Sequence, residues 1–255
     1  MGRTLNLLLT HQAPAAVARM LDWWRGCCPA EDVLVVYNGT PEVFAQITHP
    51  QKIRVDDPRL ATRDHQRERQ SYGAVWRGTS AWLAAHGPGF THVHFAEYDH
   101  LPLVEGFNAL QLARLEAEHA DVLGFQLFRV DGTNQPHLLY HLPQPGFLEH
   151  WARVSVRREP GMVLSMFGSG SFWTRAAFDA VAGVDEPLPI YLELSLPTTA
   201  HHLGYRLRDW GEQNRHVRSL GNFADRIEQA RREGMWTLHP VKTLWTDPLA
   251  LRKSP

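Results

Sequence analysis

Glu97 and Asp99 close the run Thr91 to His100, THVHFAEYDH, at the end of an apolar, strand-like stretch. Two carboxylates placed there are costly: at ~4 Å two like charges repel by about 1 kcal/mol in bulk water and about 4 kcal/mol at an effective dielectric of about 20. A buried pair of this kind favours a shared proton or a cation. Alternation along a strand puts Glu97 and Asp99 on the face of Val93 and Phe95, with His92, His94 and Tyr98 on the other, so both acids aim at one point. Oxygen ligands suit Mg²⁺ or Mn²⁺, ions that keep several waters and take further ligands from the phosphates of a substrate. The competing reading is a strand end whose acids are simply solvated.

The elements that must position this pair alternate along the chain. Thr4 to His11 reads as a strand, and Pro14 to Arg25 as a helix with proline at its start and Gly26 at its end. Asp32 to Tyr37 is a continuous β-branched run of the sort covered on both faces, and Asn38-Gly39 ends it. Pro41 to Ile47 is a short helix, Lys52 to Val55 a strand, and a helix runs from about Gln66 to His86. After the acid-bearing strand come a helix from about Val104 to His119 and a strand from Asp121 to Arg129. This order implies an α/β fold, a Rossmann-like, mainly parallel sheet with helices on both faces. Ligands of such sheets bind beyond the carboxyl ends of the strands, where Thr10, His11, Asn38, Asp57 and Asp99 fall. Residues 130–160 are expected to form an irregular excursion over the open sheet edge, anchored by Leu138, Leu139, Phe147 and Trp151. His137, His141 and Trp151 in that excursion could contact a sugar or simply pack at the edge.

Composition narrows the function classes. The 255 residues carry 26 Lys and Arg against 27 Asp and Glu, a net charge of -1 that leaves no footprint for nucleic acid or anionic membrane, so any anionic ligand must be held locally. Leu5 to Leu9 is too short an apolar run to span a membrane. Cys27 and Cys28, adjacent and alone, offer neither a disulfide framework nor a zinc spacing and fit a reducing, cytoplasmic location. The fifteen histidines are scattered without a metal-binding helix motif, and His201-His202 reads as structural. The charge run holding Arg63, Arg67 and Arg69 is either a phosphate contact, led by Arg63, or a solvated helix face.

Further along, Gly168 to Pro187 reads GSGSFWTRAAFDAVAGVDEP; Tyr191, Leu192 and Glu193 then open a helix to about Leu203, and a strand runs from Tyr205 to Trp210. Together with Glu97 and Asp99 this series resembles the nucleotide-sugar glycosyltransferases of the GT-A fold. The resemblance spans nearly the whole chain in the order of its elements, through motifs that are each short and permissive. It implies a single GT-A-like domain over 1–255, with a nucleotide-binding part at about 1–129 and an acceptor and catalytic part at about 130–255. It implies that Glu97 and Asp99 stand for the family's acidic metal motif, with Glu97 replacing the usual first aspartate. By the same likeness Gly170, Phe172 and Arg175 match the glycine-rich turn, Asp185 and Glu186 the acidic link, and Glu193 the catalytic carboxylate, here followed by Leu194 instead of a second acid. His239 and Lys242, in WTLHPVKTLW, match a late histidine that completes the metal site and a lysine on the diphosphate. Thr10, His11, Asn38, Asp57 and Arg63 are the residues available to the nucleotide. The implied reaction moves a sugar from a nucleoside diphosphate sugar to a glycan or small-molecule hydroxyl with Mn²⁺ or Mg²⁺, inverting or retaining. The alternatives are a non-catalytic binding module of the same fold and a sugar nucleotidyltransferase; the latter lacks its glycine-rich loop, since the first strand leads into THQAPAA.

Overall fold

The computed structural model describes residues 2–57, 73–132, 134–185 and 190–245. Its strands, in chain order, are β1 Arg3–Thr10, β2 Val33–Tyr37, β3 Lys52–Arg54, β4 Phe90–Glu97, β5 Leu101–Pro102, β6 Val122–Gly124, β7 Phe128–Arg129, β8 Leu164–Ser165, β9 Ser171–Thr174, β10 Leu207–Asp209 and β11 Thr237–Leu238. A seven-stranded sheet runs β10-β6-β9-β4-β1-β2-β3. Every pairing in it is parallel except those of β9, which lies antiparallel between β4 and β6. The fold is therefore the mainly parallel, Rossmann-like α/β sheet that the alternation of elements predicts.

Parity along the strands decides which side chains meet which helices. Leu5, Leu7, Leu34, Val36, Val93 and Phe95 pack together on one face, against residues of the helices Gly73–His86, Arg175–Ala182 and Leu192–His202. Leu8, Val33, Val35 and Ala96 face the other way, toward the helices Pro14–Trp24 and Ile227–Arg232 and the C-terminal Trp245. Cys27 and Cys28 are free and buried in that second layer, and burial pushes both thiols up, Cys27 to about 11. No described helix is long and apolar enough to cross a membrane.

Three expectations need correcting. The acid-bearing strand stops at Glu97; Tyr98 and Asp99 form a turn closed by the His100 N–H on the Glu97 carbonyl, 2.9 Å. The run from Asp121 to Arg129 is not one strand, because Gln126 takes φ 53° and leaves the sheet, its N–H donating to Asn214 Oδ1 at 2.9 Å; β7 then pairs with β8 in a separate ribbon. The excursion over 130–160 is not irregular, for it holds the helices Pro136–His141 and Phe147–Val154. Leu138, Phe147 and Trp151 form a small core with Val163, Ile190 and Leu194, so these helices owe their order to a layer that only the chain beyond 160 completes. The expected helix from Gln66 is seen from Gly73 onward, and its first residues lie outside those described, as do Arg63, Arg67 and Arg69.

Candidate functional site

β4 delivers Glu97 at its carboxyl end with the parity of Val93 and Phe95, toward the face covered by the helix Leu192–His202. The Glu97 N–H donates to Ser169 Oγ at 2.9 Å. The next residue, Gly170, donates its N–H to the Phe95 carbonyl at 2.8 Å and accepts the Trp210 indole N–H at 3.1 Å. Only glycine fits there: its φ is +84°, and a Cβ would lie 2.2 Å from His100 Cε1. Gly168 is also close-packed, since a Cβ would lie 2.7 Å from Leu192 Cδ1. The GSGS turn thus lets three elements meet at one strand end.

The C-terminal segment holds the Asp99 turn from the other side. Val241 N–H donates to the Asp99 carbonyl at 2.9 Å, and the Trp245 indole N–H donates to the Tyr98 carbonyl at 2.6 Å. His239 Nε2 stands 3.2 Å from Asp99 Oδ1, with both side chains less than a tenth exposed. Its Nδ1 lies 2.7 Å from the Arg218 carbonyl, an acceptor only, so Nδ1 carries the proton and Nε2 presents to Asp99 either a lone pair or a second proton. A lone pair facing a carboxylate oxygen is repulsive unless a cation sits between them. Ligand atoms of Glu97, Asp99 and His239 all lie within 4.8 Å of one another. Adjacent ligands of an octahedral ion with bonds of about 2.1 Å are about 3 Å apart, so the trio needs only a modest closure to hold a divalent cation; the two carboxylates suit Mg²⁺ or Mn²⁺, and the imidazole added to them suits Mn²⁺.

Glu193 enters from the first turn of the helix Leu192–His202. A carboxyl at a helix N-terminus is ordinarily stabilised as the anion. Here the opposite holds: burial outweighs the hydrogen bonds it accepts from the Gly168 N–H and Gln135, and with the nearby Glu97 charge lifts Glu193 from 4.5 to about 7. Its backbone carbonyl accepts the Met166 N–H at 3.0 Å, and His137 Nε2 lies 3.6 Å from Oε2. The His137 ring stacks on Tyr191 with centroids 3.7 Å apart. Burial also raises Tyr98 to about 12, with the charges of Asp99 and Glu97 adding to it.

The remaining sequence candidates divide. His11 packs edge-on against Tyr98, centroids 5.0 Å apart, and is lowered by burial against the raising influence of Asp99, so it borders the trio. Thr10, the last residue of β1, and Asn38, the first beyond β2, lie side by side, joined by Asn38 N–H to the Thr10 carbonyl at 3.1 Å, and Thr10 Oγ1 accepts the Gln12 N–H. Asp57 is buried just past β3. Lys242 is exposed beside Val241. Arg175 is not brought to the site: β9 runs antiparallel to β4, pairing Ser171 with Phe95 but Thr174 with His92, so it carries Arg175 to the far end of the sheet, where it pairs with Asp179 and donates to the Gly87 carbonyl. Phe172 leaves the same way and stacks on His92, while Asp185 is exposed and acts on His150; Glu186 lies outside the described residues. His141 and Trp151 are buried, His141 accepting the Tyr191 N–H at 3.0 Å, so packing and not solvent-facing contact is their part. Sequence reasoning missed Gln135, Ser169 and the Arg218 carbonyl. Ser169 was visible inside GSGS; the other two act through loop geometry that leaves no motif.

No protein-family model matches the chain, and no curated protein sequence does. Solved structures to which this chain is similar include the mannosyltransferase PcManGT from Pyrobaculum calidifontis in complex with GDP-Man and Mn²⁺, at TM-score 0.49 and 15% identity over 90% of this chain and 61% of that one. Another is core-mannan synthase A, CmsA, from Aspergillus fumigatus in its Mn/GDP form, at TM-score 0.43 and 9% identity over 84% of this chain and 73% of that one. This chain therefore spans less than two thirds of the first. The fold assignment itself rests on the sheet order above.

Proposed function

We propose that this protein is a divalent-metal-dependent glycosyltransferase that moves a sugar from a nucleoside diphosphate sugar to an acceptor hydroxyl. The observation that carries the reading is the convergence of Glu97, Asp99 and His239 at the carboxyl end of a central strand, with the carboxyl of Glu193 held near neutrality beside them. Asp99, Glu97 and His239 would hold the Mn²⁺ or Mg²⁺. When bound, the ion supplies positive charge where the departing diphosphate gathers negative charge. Lys242, exposed next to the Asp99 turn, adds a second cation on that side. Thr10, His11 and Asn38 border the nucleoside together with Asp57, buried just past β3; Arg63, the further sequence candidate for the donor, lies outside the described residues. Gly170 lets the turn close onto the buried rings of His100 and Phe125 behind the strand end, and Arg175 has no part in donor binding.

Glu193 takes the proton of the acceptor hydroxyl as its oxygen bonds to the anomeric carbon and the bond to the diphosphate oxygen breaks. A carboxyl near 7 is poised for that exchange at neutral pH. Acting as that base, Glu193 would invert the anomeric centre; stabilising the oxocarbenium-like centre instead, it would serve a retaining transfer, and the anomeric configuration of the product, read by NMR, decides between them. The free, buried cysteines accord with a reducing, cytoplasmic setting.

The test is thermal melting with GDP or UDP, each with and without Mn²⁺, followed by turnover of a panel of UDP- and GDP-sugars. A ligand at about 100 times its dissociation constant adds about 2.7 kcal/mol of stability. The expected result is a shift that needs both nucleotide and metal and is lost in Asp99→Ala. No shift with either nucleotide would overturn the donor assignment and favour a binding module of the same fold; a metal-dependent shift without hydrolysis or transfer would remove Glu193 from its role.

A further inference from the structure

A concavity of about 390 Å³ lies against the edge strand β10 and the β7–β8 ribbon, lined by Arg129, Arg157, Arg206 and Arg208 together with His201 and an apolar floor that includes Leu164 and Tyr205. None of its lining residues is a carboxylate. Four guanidiniums around one hollow are not an average property of a chain whose net charge is -1. The charges are only partly spent on the protein. Arg157 Nη2 is fixed by the carbonyls of Gly204 at 2.7 Å and Tyr205 at 3.1 Å, and Arg208 Nη1 donates to the Leu207 carbonyl at 3.0 Å. The half-exposed Arg206 Nε stands 3.8 Å from Asp121 Oδ2, a distant partner, while His201 is paired with Glu159 at 2.8 Å. Each guanidinium has five N–H donors in a planar fork, so most of them remain to face the hollow.

The hollow is separate from the site at Asp99. His201 and Glu193 share one helix but stand eight residues apart, about 12 Å along its axis, at opposite ends. We propose that this arginine-lined hollow is a binding site for a phosphate ester, with the anionic oxygens on Arg129, Arg206 and Arg208 and the organic part of the ligand on the floor formed by Leu127, Leu164 and Leu207. Arginine forks match phosphate oxygens bidentately, and an anchored one such as Arg157 loses little freedom on binding. The phosphate belongs either to a soluble ester or to a lipid headgroup, and the chemistry at the arginines is the same. The inference does not depend on the transfer reaction.

Binding of inorganic pyrophosphate and of glycerol phosphate is measured by calorimetry in EDTA, which removes any metal-bridged binding at Asp99, alongside co-flotation with phosphatidylglycerol and phosphatidylcholine vesicles. Arg129→Gln combined with Arg208→Gln changes two exposed side chains and leaves the anchored Arg157 in place. The expected result is binding by the unaltered protein that falls about tenfold or more in the double variant at an unchanged melting temperature, and that persists in Asp99→Asn. Binding of the soluble esters identifies a soluble ligand; binding of phosphatidylglycerol vesicles alone identifies a headgroup. Absence of all binding, equal binding to both vesicles, or undiminished binding by the double variant overturns the proposal.

Discussion

Replacing Glu193 by glutamine should make the metal-free protein more stable at alkaline pH while removing transfer. The carboxyl is held at about 7 in the fold against an ordinary 4.5. At about 1.36 kcal/mol per pH unit, that difference of about 2.5 is worth about 3 kcal/mol. The direction follows from proton counting. Because the folded-state value is raised, the folded protein keeps a proton between pH 4.5 and about 7 that the unfolded chain has lost, so stability falls as pH rises through that window and the whole penalty is present above it. The amide of Glu193→Gln carries no charge at any pH and still offers an oxygen to the Gly168 N–H. The variant should therefore match the unaltered protein near pH 4.5 and exceed it by up to about 3 kcal/mol at pH 8. For 255 residues at about 2.1 cal/mol/K each, this is a rise of up to about 6 °C in Tm. Thermal and urea melts in EDTA at the two pH values read the effect. A variant no more stable at pH 8, or equally shifted at both pH values, would refute the claim that Glu193 is an ionised group held against its own burial.

Asp99→Asn should remove the Mn²⁺-dependent part of any nucleotide-induced melting shift, and an undiminished shift would exclude Asp99 as a ligand. Gly170→Ala should cost about 2 kcal/mol or more, from a residue at φ +84° and a methyl 2.2 Å from the His100 ring, and His100→Ala in the same chain should recover part of that loss in urea melts. Arg175→Ala should leave donor turnover within about twofold, with a stability loss of about 0.5 kcal/mol from its pairing with Asp179, since β9 carries it away from Glu97; a large rise in donor KM would return it to the site.

The alternation of strands and helices was legible because burial dictates it. The apolar residues of DVLVVY and THVHFAE mark buried strands, and Val33–Tyr37 and Phe90–Glu97 are strands in the structure. What stayed hidden depends on partners distant in sequence. The helix Phe147–Val154 reads as a loop until Ile190 and Leu194 supply the layer it packs on. Arg175 looked like part of the glycine-rich turn because it is five residues from Gly170, and sequence spacing does not reveal that the strand between them runs antiparallel and away.

The same consideration sorts the site residues by how they reach it. Glu97 and Asp99 are neighbours on one turn, and their types alone made them candidates. Glu193 and His239 arrive from a helix and from a C-terminal loop, and nothing local marks them apart from any surface acid or core histidine. What distinguishes them is environment: Glu193 is raised despite sitting at a helix N-terminus, and His239 has one nitrogen committed to the Arg218 carbonyl so that the other must face Asp99. A helix-capping acid would be lowered, and among the described residues the buried His94 and His100 stand near no carboxylate that would share a cation with them, whereas His239 faces Asp99 and Glu97. Each departs from its structural role in the direction that a cation beside Asp99 and a base beside it would require.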